Sequence, residues 1–182
     1  THYSLIGLLL DHELSAPEGT WPLQQATIDG ESFTYHEYIS QNLWQVIVVT
    51  RPYRASTEWS RSDFLQIRAM HQLGIRQLIS ATSNQLTNRE IVKPDCVIPT
   101  RLEDIIDLRS IRRTDDRTAD PYSLPLCPRL RFGLVNAIQH FNLEAANAVA
   151  CSQTAGTLAA EQIAARTLGM CHAIVDFTVS DS

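Results

Sequence analysis

The chain is 182 residues long, which predicts a single domain over residues 1–182. Apolar residues make up 44% of the chain and charged residues 19%, proportions typical of a soluble globular domain. The net charge of −5 argues against a nucleic-acid partner, because phosphate backbones are bound by basic surfaces. No apolar run approaches the length of a membrane span, and no secretory signal is recognised. We therefore expect a cytoplasmic protein without a membrane partner.

Strands and helices are predicted to alternate along the chain. Continuous apolar, often β-branched runs indicate buried strands at Ser4–Leu10, Gln45–Thr50, Gln77–Thr82, Asp95–Pro99, Ala145–Cys151 and Ala173–Phe177. A further strand is predicted from Gln24, ending in a tight Asp29-Gly30 turn. Apolar residues that recur every three or four positions between capping signals indicate helices at Ser60–Leu73, Cys127–Asn142 and Ala155–Leu168. Residues 107–126 are charged and proline-containing and predict a loop. The alternation favours an α/β fold with a mostly parallel sheet.

The cysteines and histidines indicate neither a disulfide framework nor a metal site. The four cysteines lie far apart, mostly in apolar runs, and we expect buried free thiols in a reducing compartment. The six histidines are not spaced with cysteines or carboxylates as metal ligands are, so no metal is expected. His12, within Asp11-His12-Glu13, follows the first strand at the carboxyl edge, where α/β sheets bind ligands. It is a candidate ligand contact, although a polar strand terminus is the favoured explanation.

Several short motifs occur in the order in which one enzyme family carries them. They are Leu73-Gly74-Ile75 leading into Gln77–Thr82, Pro94-Asp95-Cys96-Val97-Ile98, Asp120-Pro121-Tyr122, Cys127-Pro128-Arg129-Leu130-Arg131, Leu168-Gly169 and Thr178-Val179-Ser180-Asp181. As a set they resemble the nucleoside phosphorylase superfamily, of the purine nucleoside and methylthioadenosine type. The resemblance implies a three-layer α/β fold with a mostly parallel mixed central sheet flanked by helices.

The resemblance also implies a reaction, the phosphorolysis of the N-glycosidic bond of a purine nucleoside. The transition state is oxocarbenium-like, so phosphate must be held beneath the sugar while the leaving purine is stabilised. Phosphate would be a co-substrate, and no other cofactor is expected. Relatives form trimers or hexamers, which implies a homo-oligomer.

The chain departs from the family at the phosphate site. The family has a glycine- and serine-rich loop there, whose amides face the anion, and this chain has Gly7-Leu8-Leu9-Leu10. Arg51 and Arg54 remain as candidate anion-binding cations, with surface ion pairing as the alternative. Ser80 and Thr82 stand where the family places strand-end hydroxyls near phosphate and ribose, although such residues are also common in turns.

The base site is altered as well. Thr157 takes the place of a glutamate that binds the purine, and a short neutral hydroxyl cannot replace that carboxylate. Phe177 falls near a methionine that covers the sugar, and it could still stack on a ligand. Asp176, inside an apolar strand, needs a partner or faces a pocket. Asp176 and Asp181 are the acids that we can name as candidates for assisting a leaving base.

Three hypotheses remain open after these comparisons of motifs. The first and favoured one is a phosphorylase-like protein that binds a nucleoside-like small ligand and has lost most or all phosphorolysis. The second is an active enzyme that cleaves N-glycosidic bonds, either a nucleoside phosphorylase or a hydrolase that uses water. The third is a structural subunit of an oligomer, since relatives form trimers or hexamers and share sites across interfaces.

Overall fold

The computed structural model describes residues 4–14, 21–39, 44–51, 61–84, 86–87, 95–103, 123–146, 151–153 and 157–179. The helices are α1 (Arg61–Gln72), α2 (Pro128–His140) and α3 (Thr157–Thr167), with a 3-10 turn at His12–Leu14. The strands are β1 (Ser4–Leu10), β2 (Leu23–Ile28), β3 (Glu31–Ile39), β4 (Trp44–Thr50), β5 (Gln77–Ser83), β6 (Leu86–Thr87), β7 (Cys96–Val97), β8 (Arg101–Glu103), β9 (Ser123–Pro125), β10 (Ala145–Ala146), β11 (Cys151–Gln153) and β12 (Cys171–Phe177).

Eight strands form the central sheet in the order β10-β7-β12-β5-β1-β4-β3-β2. β1 lies between β4 and β5 and runs parallel to both, and β12 runs parallel to β5. The antiparallel pairs are β2 with β3, β3 with β4, and β7 with β12. The sheet is therefore mixed and mostly parallel, and the predicted fold class is confirmed.

A second sheet of four short strands, in the order β6-β11-β8-β9, lies beside the first. β9 falls inside the segment 107–126, which was predicted as a loop, and its pairing with β8 shows that this prediction was wrong for Ser123–Pro125. Residues 107–122 lie outside the described residues. The strand predicted at Ala145–Cys151 is β10 and the first residue of β11, which belong to different sheets.

The central sheet has helices on both faces, which makes three layers. Alternate side chains of β1, β4 and β5 pack against α1 and α3, through a cluster that contains Leu9, Val49, Ile67, Leu78 and Ala164. The opposite face packs against α2, through a cluster that contains Leu10, Val48, Ala81, Ile138 and Val175. Because side chains alternate between the two faces of a strand, residues at every second position, polar ones included, face the same helical layer.

Gly7 allows α1 and the chain after it to approach β1 closely. A Cβ atom built on Gly7 would stand 2.9 Å from Cγ2 of Ile75 and 3.1 Å from Cε of Met70. Both neighbours are fully buried, so neither has open space to move into. The predicted strand at Ser4–Leu10 is thus an inner strand whose glycine serves packing.

Cys127 and Cys171 form a disulfide, so the prediction of free thiols was wrong for this pair. Cys127 precedes α2 and Cys171 begins β12, and their Cα atoms are 5.5 Å apart although 44 residues separate them. The sequence carried no local signal for a pairing across that distance. Cys96 is a buried free thiol, as predicted.

No helix among the described residues is long and apolar enough to cross a membrane.

Candidate functional site

The carboxyl ends of four neighbouring strands meet at one edge of the central sheet. Leu10 at the end of β1 is opposite Thr50 of β4 and Ala81 of β5, and Phe177 at the end of β12 is opposite Ser83. Residues that follow these strands are therefore brought side by side. This edge is where α/β sheets usually bind ligands.

Arg51 is buried directly after β4, and the chain's own carboxylates surround it. Its Nε donates to Oε1 of Glu161 at 2.8 Å, and its Nη2 donates to Oε2 of Glu161 at 2.7 Å. Its Nη1 donates to Oδ1 of Asp11 at 3.0 Å and to the carbonyl oxygens of Leu9 and Ala81. Burial lowers the pKa of Arg51, but Glu161 and then Asp11 raise it, and the net direction is upward. All three nitrogens of the predicted anion-binding cation thus have partners within the chain.

Ser80 continues this network along β5 towards β12. Its Oγ donates to Oε2 of Glu161 at 2.6 Å and lies 2.8 Å from Nε2 of His172. Nδ1 of His172 is 2.7 Å from Oε1 of Gln162, whose Nε2 donates to the carbonyl oxygen of Pro125. Ser80 and His172 are 0% and 2% exposed, so this hydroxyl cannot meet a solvent-borne substrate without a structural change.

Thr82 and Asp176 form a second buried pair on the same face of the sheet. The Thr82 hydroxyl donates to Oδ1 of Asp176 at 2.6 Å, and the backbone N–H of Leu86 donates to Oδ2 at 2.9 Å. Asp176 is 3% exposed, and these two hydrogen bonds provide the partners that a buried carboxylate needs. Because Leu86 belongs to β6, this carboxylate joins the central sheet to the second sheet.

The rim of the carboxyl edge is more exposed. The Ser83 hydroxyl donates to the exposed Glu13 carboxylate, and the Ser83 N–H donates to Oδ2 of Asp11 at 3.1 Å. The side chain of Asn84 binds both the N–H and the carbonyl oxygen of Val179, at 3.2 Å and 2.8 Å. This rim presents polar groups that a small ligand could contact.

The remaining predicted site residues are dispersed. His12 is exposed in the 3-10 turn after β1. Phe177 is half-buried in the cluster that packs on α2, on the opposite face of β12 from Asp176. Thr157 begins α3, and only its backbone is described. Arg54 and Asp181 lie outside the described residues.

Sequence reasoning did not find three members of the buried network, Glu161, Gln162 and His172. Glu161 and Gln162 lie in a helix whose buried neighbours are mostly alanines, and both are nearly inaccessible to solvent. A charged residue and an amide on such a helix were the available signal, because burial requires partners for both. Within the described part of the chain, no group of three His, Cys, Asp or Glu side chains is arranged to hold a metal ion.

Comparison with solved structures places this fold among nucleoside-cleaving enzymes. The 5'-methylthioadenosine/S-adenosyl homocysteine nucleosidase of Helicobacter pylori superposes with a TM-score of 0.67 at 11% identity, covering 98% of this chain and 85% of that one. The S-adenosylhomocysteine nucleosidase of Streptococcus pyogenes gives a TM-score of 0.65 at 14% identity, covering 98% and 84%. Futalosine hydrolase of Helicobacter pylori gives 0.65 at 10% identity, covering 96% and 83%. Neither a protein-family model nor a curated protein sequence matches the chain.

The chain therefore has the α/β fold of the nucleoside phosphorylases and nucleosidases. The resemblance seen in its motifs is thereby confirmed for the fold.

Proposed function

We propose that this protein binds a purine nucleoside or a nucleoside-like small molecule at the carboxyl edge of the central sheet, and that it does so without phosphate. The main support is the environment of Arg51. Its Nε and Nη2 donate to Glu161, and its Nη1 donates to Asp11 and to two carbonyl oxygens. An incoming phosphate would have to displace a buried carboxylate, which is costly because the separated charges lose their partners. Leu9 and Leu10 are paired with β4 on one side and with β5 on the other, so their backbone amides face neighbouring strands and not an anion.

Two lines support a nucleoside as the ligand. Among proteins of similar fold, an Asp-to-Asn form of the Helicobacter pylori nucleosidase holds 5'-methylthioadenosine in its active site, and the streptococcal enzyme binds 5-methylthiotubericidin. The rim of this chain offers the exposed Glu13 carboxylate and the Ser83 hydroxyl, which are suitable partners for the two hydroxyls of a ribose.

Hydrolysis of the N-glycosidic bond is the second candidate function. It is favoured by the neighbours being nucleosidases and a hydrolase, which use water rather than phosphate as acceptor. An exposed carboxylate such as Glu13 is a suitable general base for water. Asp176 is engaged by Thr82 and Leu86, so Asp181 is the better candidate for protonating the departing base.

The decisive experiment measures binding and base release in the same samples. Calorimetry with methylthioadenosine, adenosine, inosine and guanosine should detect binding of at least one nucleoside, unchanged by phosphate. Glu13→Gln should weaken binding about tenfold, the effect of losing a charge-assisted hydrogen bond. Glu31→Gln, a change at an exposed residue of the β2–β3 hairpin, is the matched control and should have no effect.

Base release separates the remaining hypotheses. Release that does not depend on phosphate would establish the hydrolase, and release that rises with phosphate concentration would reject the proposal. Absence of any nucleoside binding would favour the structural-subunit hypothesis. Assembly into a homo-oligomer, which the family resemblance implies, is tested by sedimentation velocity of the same preparation.

A further inference from the structure

The buried contacts that join Glu161, Ser80 and His172 allow the protons in this part of the core to be counted. Three short contacts form a line, from Oε2 of Glu161 to Oγ of Ser80, from Oγ to Nε2 of His172, and from Nδ1 of His172 to Oε1 of Gln162. Each contact needs one proton between its two atoms, so the line needs three protons.

The orientation of the Gln162 amide fixes one of these protons. Its Nε2 donates to the carbonyl oxygen of Pro125, which can only accept. Oε1 must therefore be the atom that faces His172. Because an amide oxygen cannot donate, the proton of this contact belongs to Nδ1 of His172.

The other two contacts then share too few donors. A neutral His172 that is protonated on Nδ1 has a bare Nε2, and an ionised Glu161 has no proton. The single Ser80 hydroxyl proton can occupy one of its two contacts but not both. At 2.6 Å and 2.8 Å, neither contact is favourable without a proton in a site from which water is excluded.

We propose that Glu161, Ser80 and His172 hold one additional shared proton in the folded protein, and that folding therefore takes up a proton at neutral to mildly alkaline pH. The proton lies on Nε2 of His172 when the ring is charged. It lies between Glu161 and Ser80 when the ring is neutral, with Ser80 then donating to Nε2. All three contacts are complete in both arrangements.

The charges around the line support this proton count. Arg51 and Asp11 bear opposite charges and are bonded to each other. Among the four side chains of Arg51, Asp11, Glu161 and His172, an ionised Glu161 beside a neutral His172 gives a net charge of −1, whereas the additional proton makes these four side chains neutral together. Burying an unbalanced charge is among the costliest changes a core can accommodate.

The groups that face His172 shift its pKa in different directions. Burial lowers its pKa to about 4, Glu161 from α3 opposes this, and Arg51 from the end of β4 adds to it. Burial and Arg51 thus disfavour the charged ring, and Glu161 favours it. On its own strand, Asp176 is held by Thr82 and the Leu86 amide.

The groups on the remaining sides do not supply the proton. Cys171, which precedes His172, and Cys127, which precedes α2, are joined in the disulfide and do not titrate. Cys96 of β7 is opposite Phe177, at the other end of β12, and it packs in the cluster on the face of the sheet opposite to His172. The proton must therefore come from solvent during folding.

The test is urea unfolding at a series of pH values from 6 to 8, in the wild type and two matched variants. In the unfolded chain, Glu161 and His172 lose their protons around the ordinary values of about 4.3 and 6.5. A proton held only by the folded state makes the folding constant fall about tenfold per pH unit between pH 7 and 8. Without a shared proton the folding constant would not fall in that interval, because the neutral, buried His172 makes it rise slightly as the unfolded histidine loses its proton.

Ser80→Ala removes the relay and should abolish the slope between pH 7 and 8. Thr82→Val removes a hydroxyl equally buried on the same strand face and should leave the slope intact. A flat wild-type profile, or an equal slope in Ser80→Ala, overturns the proposal. If Ser80→Ala fails to fold, nitrogen NMR of the wild type decides: a bare Nδ1 on His172 overturns the proposal, and a protonated Nδ1 together with the wild-type slope supports it. Neither readout depends on nucleoside binding, so the proposal can fail or stand independently of the proposed function.

Discussion

Glu161 grips Arg51 with both carboxylate oxygens, although 110 residues separate them in the sequence. The two side chains are 3% and 10% exposed, and the contact ties α3 to the end of β4. A fork of this kind is the strongest common geometry for a pair of charged side chains. We therefore expect this ion pair to be the main polar contact that holds α3 against the central sheet.

Removing the whole Glu161 carboxyl group should destabilise the protein severely. Glu161→Ala leaves Arg51 without the partners of its Nε and Nη2 and leaves Ser80 without its acceptor, and we expect a loss of about 3–5 kcal/mol in the free energy of unfolding. Arg68→Ala breaks an ion pair with Asp29 whose side chains are 45% and 44% exposed, and it should cost less than about 1 kcal/mol. Urea unfolding of both variants gives the comparison, and equal losses would contradict it.

Replacing Gly7 with alanine should disturb the packing of β1. The new methyl group would approach Ile75 and Met70 within 3.1 Å, and overpacking of this degree costs about 1–3 kcal/mol. Gly133 in α2 is the control, because a Cβ there meets nothing within 4 Å. Gly133→Ala should stabilise by about 0.5–1 kcal/mol, through the better helix propensity of alanine. Thermal unfolding that shifted both variants in the same direction would refute this contrast.

Cys96 should make stability depend on alkaline pH. Burial, with help from Asp95 and Asp176, raises the pKa of its thiol to about 11, whereas an unfolded thiol titrates near about 8.5. Because the folded pKa is the higher one, the stabilising contribution is complete below about pH 8.5 and is lost as the pH rises towards 11. Between pH 9 and 10, wild type should lose stability more steeply than Cys96→Ala, by up to about tenfold per unit in the folding constant. Parallel profiles would count against the buried thiol.

Reducing the disulfide should lower stability through the unfolded state. A bridge that closes a loop of 44 residues restricts the unfolded chain, and its removal costs about 3–4 kcal/mol. Unfolding is compared with and without reductant, for wild type and for the double variant Cys127→Ser, Cys171→Ser. Only the wild type should respond, and an unresponsive wild type would show that the bridge does not form.

Asp176→Asn should act first on stability and only indirectly on any ligand. Asparagine keeps one acceptor oxygen, so either the Thr82 hydroxyl or the Leu86 amide loses its partner, at a cost of about 1–3 kcal/mol. Calorimetry with the nucleosides of the proposed function should find affinity changed less than by Glu13→Gln. A large loss of affinity with unchanged stability would instead assign Asp176 to the ligand.

Local patterns were sufficient for the main elements of the fold. The apolar run at Ser4–Leu10 is β1 over its full length, and Gly74, with φ of 94°, ends the helical segment where predicted. The Asp29-Gly30 turn also has positive φ at both residues, as hairpin turns of this type require. These features depend on residues that are neighbours in the sequence, so they can be predicted from the sequence directly.

The second sheet and the buried network were beyond such reasoning. Strands of two or three residues carry too little periodicity to distinguish them from loops, as Ser123–Pro125 shows. Ser80 and His172 are 92 residues apart, and their contact exists only because β5 and β12 are neighbours in the sheet. The pairing of Cys127 with Cys171 is equally a product of topology. The anion- and ligand-binding roles of the named residues stay predictions.

The position of β12 in the sheet has a consequence for biosynthesis. β12 fits between β5 and β7, both of which leave the ribosome long before it. A nascent chain that lacks Cys171–Phe177 therefore presents two open strand edges, each able to recruit a wrong partner. The sheet cannot be completed until β12, an interior strand that is synthesised late, has left the ribosome. We expect chaperones that protect the chain during this interval to improve the yield of recombinant protein.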